Sequence, residues 1–199
     1  MKRNKALLAV VLALVLLLGG AYALYDRLSG EMSPDRLAAR DGGQTEGSSE
    51  DESGGEEAER VPAPDFTVYD RGSNEVRLSD FVGKPVVLNF WASWCGPCQR
   101  EMPDFDEVCA EMGEEIQFLM VNMTTSDRES FEKATAFIDE RGYSFPVFYD
   151  TDGDAATTYG VYSLPTTYFI DAEGHGIARA TGAIDRETLE KGIGMITEQ

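Results

Sequence analysis

Cys95 and Cys98, in the run Trp94-Cys95-Gly96-Pro97-Cys98, hold more potential chemistry than any comparable stretch of this chain. Two sulfurs at that spacing on a helix N-terminus lie about one turn apart and can close a small disulfide ring. They can therefore exchange two electrons by passing between two thiols and one disulfide. Cys95 comes first, so its sulfur should meet the unpaired N–H groups and the positive end of the helix dipole, which favour thiolate. Lowering a thiol pKa from about 8.5 to about 7 raises the thiolate fraction at neutral pH roughly 15-fold and lowers nucleophilicity about fivefold, a net gain of about threefold. Access and geometry thus weigh more than acidity. Stabilising the thiolate too far would make the pair an oxidant, and Gly96-Pro97 puts no histidine or other cation between the sulfurs, so the motif leans towards a reductant.

The other chemistry-bearing residues read differently. One CxxC supplies two of the four ligands of a structural zinc, and neither Cys109 nor the sole histidine, His175, stands at a supporting spacing. Cys109 falls with Phe105, Val108 and Met112 on one helical stripe, which predicts a buried and inert thiol. His175 lies in the turn Glu173-Gly174-His175-Gly176 and is expected to be an exposed loop residue, not a base. Asp150-Thr151-Asp152-Gly153-Asp154 imitates the start of a calcium loop, but Ala155 and Val161 stand where that loop needs Gly and Glu, so it reads as a turn. No metal and no cofactor is expected.

The elements that must carry the pair follow from periodicity. Residues 86–90 form a short, continuous apolar strand running into the cysteines, and a helix starts there. Residues 66–69 and 75–78 read as a hairpin around Arg71-Gly72-Ser73-Asn74, and residues 116–123 as a second buried strand. Ser126 and Glu129 predict a capping box for a helix that Gly142 stops. Short strands follow at residues 145–149 and 166–171, with an edge strand at 177–181. Asp185 should cap a last helix whose Leu189, Ile193 and Ile196 face inward despite Gly192 and Gly194. Trp91 reads as core, and Pro103, inside the first helix, predicts a kink.

Of the 199 residues, 17 are Lys or Arg and 36 are Asp or Glu, for a net charge of −19. Nothing offers the basic stripe that phosphate backbones require, so nucleic acid is excluded as a partner; the acidity reads as solubility. Lys2, Arg3 and Lys5 precede an uncharged apolar run at residues 6–25, long enough to cross a bilayer with the positive end cytoplasmic. Ala21-Tyr22-Ala23 also resembles a cleavage site, so the segment is either a signal anchor, the favoured reading, or a leader removed after Ala23. Either one exports the remainder. Residues 26–60, rich in Gly, Ser, Asp and Glu, can bury too little apolar surface to order beyond a weak helical turn at residues 33–40. As a coil of about 35 residues they would span near 30 Å, enough for a tether. The expected organisation is a basic tip and transmembrane helix over 1–25, an acidic linker over 26–60 and one domain over 61–199.

Trp94-Cys95-Gly96-Pro97-Cys98 with Glu101 and Pro103, followed downstream by Ser163-Leu164-Pro165-Thr166-Thr167-Tyr168-Phe169-Ile170-Asp171, resembles the TlpA/ResA-like (DsbE-like) branch of the thioredoxin superfamily. The resemblance covers roughly residues 61–199. It implies an α/β thioredoxin-like fold, a mixed central sheet flanked by helices with an N-terminal β-hairpin, in a monomeric, membrane-anchored, extracytoplasmic thiol-disulfide oxidoreductase. Its clients would be protein disulfides, among them the CxxCH disulfide of apocytochrome c in cytochrome c maturation, and its electrons would come from a transmembrane donor of the CcdA or DsbD type. By the same resemblance Cys95 attacks the client, Cys98 resolves the mixed disulfide, and Trp94, Gly96, Pro97, Leu164 and a cis Pro165 form the substrate site. Thioredoxin has a buried acid where Asn89 stands here, and Glu101 matches the acid of the ResA-like branch that would take the Cys98 proton; the bland alternative is a solvated helix carboxylate. Ala92 occupies the position at which peroxiredoxins carry Thr or Ser, which argues against a peroxidase. A general disulfide oxidase or isomerase, and a non-enzymatic metal- or partner-binding module built on the two thiols, stay open at the level of sequence.

Overall fold

The computed structural model describes residues 38–39, 61–125 and 128–197. The expected transmembrane segment and cleavage site, nearly all of the linker, and Ser126 lie outside them. Among the described residues no helix is long and apolar enough to cross a membrane.

Eight strands form one mixed sheet: β1 (Ala38–Ala39), β2 (Thr67–Tyr69), β3 (Glu75–Arg77), β4 (Val86–Trp91), β5 (Gln117–Asn122), β6 (Val147–Tyr149), β7 (Thr166–Ile170) and β8 (Gly176–Thr181), in the order β1-β8-β7-β4-β5-β6-β2-β3. β4, β5 and β6 run parallel, and β7 pairs antiparallel with both β4 and β8. The helices are α1 (Gly96–Met112), α2 (Phe131–Arg141), α3 (Asp154–Thr158) and α4 (Arg186–Thr197). This is a thioredoxin-like α/β fold with the β2–β3 hairpin added to one side.

β4 explains why the sheet is covered twice. All six of its residues are buried, and side chains alternate across a strand. Val87 and Trp91 therefore join a core with Met102, Phe105 and Val108 of α1 and Leu189 and Ile193 of α4. Val86, Leu88 and Phe90 join a second core on the other face with Phe66, Leu119, Val121 and Tyr168. A strand buried on both faces reads as a continuous apolar run, as parallel strands at a sheet centre do. Asn89 interrupts that run and shares the alternation of Val87 and Trp91, which turns it towards α1.

Several details depart from expectation. The acidic stretch contributes a two-residue strand, β1, on the outer side of β8, so β8 is not the sheet edge and residues 38–39 are extended and not helical. The helix α2 is capped by Ser130, whose hydroxyl accepts from the Lys133 N–H at 3.3 Å, and Glu129 turns elsewhere. Gly142 stops the same helix in the left-handed conformation, at φ 72°. The turn after β6 continues into the short helix α3, because the buried Asp150 carboxylate accepts the N–H groups of Ala155 and Ala156 at 3.2 and 2.9 Å. His175 is only partly exposed, its Nδ1 being 3.3 Å from the buried Asp171 carboxylate. Cys109 is likewise half-buried, packed at the border of the first core, and burial pushes its thiol pKa up.

Gly192 and Gly194 of α4 do different things. A Cβ built at Gly192 would lie 2.2 Å from the ring Cζ of the fully buried Phe169, whereas one at Gly194 meets nothing within 4 Å. Gly192→Ala is therefore expected to destabilise by about 1–3 kcal/mol through overpacking, and Gly194→Ala to stabilise by up to about 1 kcal/mol through helix propensity. Denaturant midpoints of the two variants, moving in opposite directions, check this.

Candidate active site

β4 delivers the chain through Ala92-Ser93-Trp94 to Cys95, which is the N-cap of α1; Pro97 occupies the first turn, where a missing N–H costs nothing. Cys95 and Cys98 are joined by a disulfide with 5.3 Å between their Cα atoms, and the Cys98 N–H donates to Cys95 Sγ at 3.2 Å. The sulfur of the first cysteine thus sits on the N-terminal N–H groups of the helix, where thiolate is favoured on reduction. The two cysteines differ in access. Cys98 is fully buried, while Cys95, 4% exposed, reaches a groove of about 470 Å³ that is also lined by Trp94, Gly96, Pro97, Met123, Arg128, Val161, Tyr162, Ser163 and Leu164. The Leu164-Pro165 peptide is cis, and Pro165 leads directly into β7.

Glu101, three residues after Cys98 on α1, is 1% exposed. One carboxyl oxygen accepts from Asn89 Nδ2 at 2.9 Å and the other from the Ile184 N–H at 3.0 Å. Burial pushes its pKa from 4.5 to about 8, against these two hydrogen bonds and with a further push from the charge of Asp104. Asn89 also reaches Thr167 Oγ1 at 3.0 Å, while its own Oδ1 is buried without a hydrogen-bond partner. A side-chain amide can turn either its N–H or its oxygen towards Glu101, so Asn89 suits both the ionised and the protonated acid.

The loop before Cys95 is pinned from several sides. Glu129, 5% exposed, accepts from both the N–H and the hydroxyl of Ser93, the latter at 3.0 Å, and from the Ser130 N–H at 3.3 Å. Gln99 Nε2 donates to the Ser93 carbonyl at 2.6 Å, and the Cys95 N–H to the Ala92 carbonyl at 3.1 Å. The Arg128 guanidinium lies over the Trp94 ring, 4.1 Å from its centroid.

Of the residues the sequence assigned to the site, Trp94, Cys95, Gly96, Pro97 and Leu164 line the groove, Pro165 follows Leu164, Cys98 is joined to Cys95 by the disulfide, and Glu101 is buried three residues further along α1. Glu101 is not a solvated helix carboxylate, because α1 turns it onto β4 and the Ile184 loop. Sequence reasoning missed Glu129, Arg128 and Tyr162. They come from loops 30 to 70 residues downstream, and no spacing in the chain links them to Cys95. Asn89 did leave a signal, as the one polar residue inside an apolar strand.

Three comparisons place these features among known proteins. Residues 60–177 match the model of the AhpC/TSA family. The thiol-disulfide oxidoreductase ResA of Bacillus thuringiensis subsp. konkukian is 38% identical over 138 residues, covering 68% of this chain and 76% of the relative. ResA of Bacillus anthracis is 30% identical over 198 residues, 99% of each chain. Among solved structures, the pneumococcal exposed lipoprotein thioredoxin Etrx1 of Streptococcus pneumoniae superposes with a TM-score of 0.58 at 35% identity, over 64% of this chain and 96% of the other.

The position of Glu101 carries a thermodynamic consequence. Between pH 4.5 and about 8 the folded protein holds a proton that the unfolded chain has lost, so stability is highest below this window and falls as pH rises through it. Glu101→Gln removes that dependence. Each tenfold change in proton affinity between the folded and unfolded states is worth about 1.4 kcal/mol, so in urea unfolding of the disulfide form, wild type is expected to lose up to about 4 kcal/mol relative to the variant between pH 5 and pH 9. A difference that stays constant with pH would mean that the carboxyl titrates normally.

Proposed function

The chain belongs to the AhpC/TSA family, as a ResA-like thiol-disulfide oxidoreductase of the thioredoxin superfamily, and from that membership we propose that it reduces client protein disulfides on the extracytoplasmic side of a membrane. The observation that carries this reading is the unequal placement of the two sulfurs: Cys95 lines the groove, whereas Cys98 is fully buried and stands three residues before the buried acid Glu101 on the same helix.

In the reduced protein, Cys95 thiolate attacks one client sulfur, forms a mixed disulfide and expels the other client sulfur as thiolate. Cys98 then gives its proton to Glu101 in its ionised form, the minority at pH 7 and the majority above about pH 8, and attacks Cys95, which closes the Cys95–Cys98 bond and expels the second client thiolate. Both client thiolates take protons from water; the client has gained two electrons and the protein has lost two. Glu101 suits its part because a carboxyl with a pKa of about 8 is nearly matched to a thiol near 8.5, whereas an ordinary carboxyl would be a poor acceptor for a thiol proton. Leu164, ahead of cis Pro165, offers backbone on which an extended client segment can pair. Ala92 supplies only a buried methyl group where a peroxidase would hold its peroxide.

Residues 6–25 are read as a membrane anchor, or as a leader cleaved after Ala23, with the domain outside. The full-length alignment with ResA of Bacillus anthracis and the likeness to an exposed lipoprotein support export. A reductant in an oxidising compartment must be renewed across the membrane, so the electron donor is assigned to the CcdA or DsbD class. The client assigned by the family resemblance is the CxxCH disulfide of apocytochrome c.

Cys98→Ser should capture clients as mixed disulfides through Cys95, and Cys95→Ser should capture none; mass spectrometry of the adducts names the client. Glu101→Gln should slow release from the mixed disulfide by about 10²-fold at pH 7, the usual contribution of a positioned base, with the loss shrinking as pH rises. The reduction potential should lie towards the −270 mV of thioredoxin, and a value near the −120 mV of strong oxidants would overturn the reductant direction.

A further inference from the structure

Charge is distributed unevenly around this groove. The chain has 36 acidic and 17 basic residues, yet among the described residues the one charged side chain lining the groove is that of Arg128. Two more cations stand close by: a Cβ placed on the exposed Gly96 would be 3.9 Å from Arg100 Nη1, and Lys133 Nζ reaches the Arg128 carbonyl at 3.3 Å. All three side chains belong to exposed residues, and none of them forms an ion pair among the described residues. Arg186 is paired with three glutamates, Arg71 with Asp139 and Arg77 with Asp65, whereas Arg141 and Arg179, like the rim cations, form no ion pair among the described residues. Glu129, the acid that follows Arg128 in the chain, is buried with its oxygens taken by Ser93 and Ser130.

Arg128 is also shaped for a ligand. Its plane rests on the Trp94 ring, an arrangement that leaves the N–H edges of a guanidinium free to fork a carboxylate. The same groove is lined by Tyr162, a residue that is 99% exposed. Exposed aromatics beside a groove are the usual anchors of a docked chain. We propose that the rim of the groove is a specificity site for acidic client segments, in which carboxylates flanking the reacting cysteine meet Arg128 and Arg100 and an apolar side chain lies against Tyr162. The inference rests on the reductase reading and adds the chemistry of the sequence around the client disulfide. The overall negative charge does not oppose it: at physiological salt, fields decay over about 8 Å, so contact with the rim cations outweighs distant acids.

The test uses reduced full-length protein and three disulfide-bridged peptides identical except for the two residues flanking each cysteine, which are Glu, Gln or Lys. The kcat/KM for the Glu peptide is expected to exceed that for the Lys peptide about fivefold, the scale of exposed charge pairs acting on encounter and docking. The ratio should shrink towards one in 1 M salt, where fields decay over about 3 Å, and in Arg100→Gln/Arg128→Gln. A ratio of one or less in wild type, or a ratio that survives the double substitution, overturns the proposal. The Gln peptide separates the two levels of argument. Its reduction without Glu-over-Lys preference sinks the rim alone, whereas no reduction of any peptide sinks the reductase reading and the rim with it.

Discussion

One desolvated carboxyl organises the redox centre. Glu101 is taken out of water by three elements that converge on it: α1, which carries it; β4, which supplies Asn89; and the loop ahead of α4, which supplies the Ile184 N–H. Removing water disfavours the charged form more than two hydrogen bonds favour it, and the balance falls near 8. That value is close to the pKa of an ordinary thiol, which is what the proposed proton transfer from Cys98 requires. Thioredoxin-like proteins can place their buried acid on the strand; here the strand contributes the amide of Asn89 and the helix contributes the acid. The chemistry depends on α1 and β4 staying in register with each other, which the doubly covered centre of the sheet enforces.

The geometry around Cys95 answers a different need. Acidity alone would raise its attack rate only about threefold, so most of the advantage of the site must come from holding the sulfur where a client disulfide can approach in line. Each residue of the loop 92–94 is fixed by a partner from another element: Ala92 by burial, Ser93 by Glu129 and Gln99, Trp94 by Arg128. A nucleophile carried on a pinned loop loses little freedom when a client arrives, and the ordering is contributed by folding and not by binding. Glu129 is the second buried acid near the disulfide, and its role differs from the one proposed for Glu101. Both acids are buried, but the oxygens of Glu129 meet N–H and O–H groups of the loop itself, the pattern of a brace.

Much of this is legible in the amino-acid order, for identifiable reasons. The β4–CxxC–α1 unit is local: an apolar run, a turn and a helix start, each with its own signal within about 25 residues. The inward face of α4, the Gly142 stop and the hairpin turn are likewise local. The cis peptide before Pro165 and the role of Glu101 come from family resemblance, since spacing on one helix says that Glu101 follows Cys98 but not what lies across from it. What sequence does not supply is long-range placement. Glu129 reads as half of a capping box because Ser126 precedes it by three residues; its partner Ser93 is 36 residues away. Asp150 reads as part of a turn, and its burial under α3 is decided by β2, whose Thr67 N–H is held by Asp154 at 2.8 Å. His175 reads as exposed because its partner Asp171 draws its burial from the sheet.

The centre also carries a cost that fixes where it can sit. A carboxyl that keeps its proton to about pH 8 lowers stability at neutral pH relative to a neutral isostere, and Asn89 Oδ1 adds a buried acceptor without a partner. Neither is tolerable on a thin core. Both lie against β4, flanked by Val87, Trp91, Met102 and Phe105, all essentially inaccessible to water. Burying such side chains stabilises by roughly 1.5–3 kcal/mol each. The same packing that excludes water from Glu101, and so sets its proton affinity, therefore offsets the penalty of leaving it there. A smaller side chain in this layer would weaken both effects together by admitting water: the acid would fall towards its ordinary pKa, and the core would lose the contacts that held the centre in place. In this fold, the tuning of the acid and the stability of the sheet centre are two results of one exclusion of solvent.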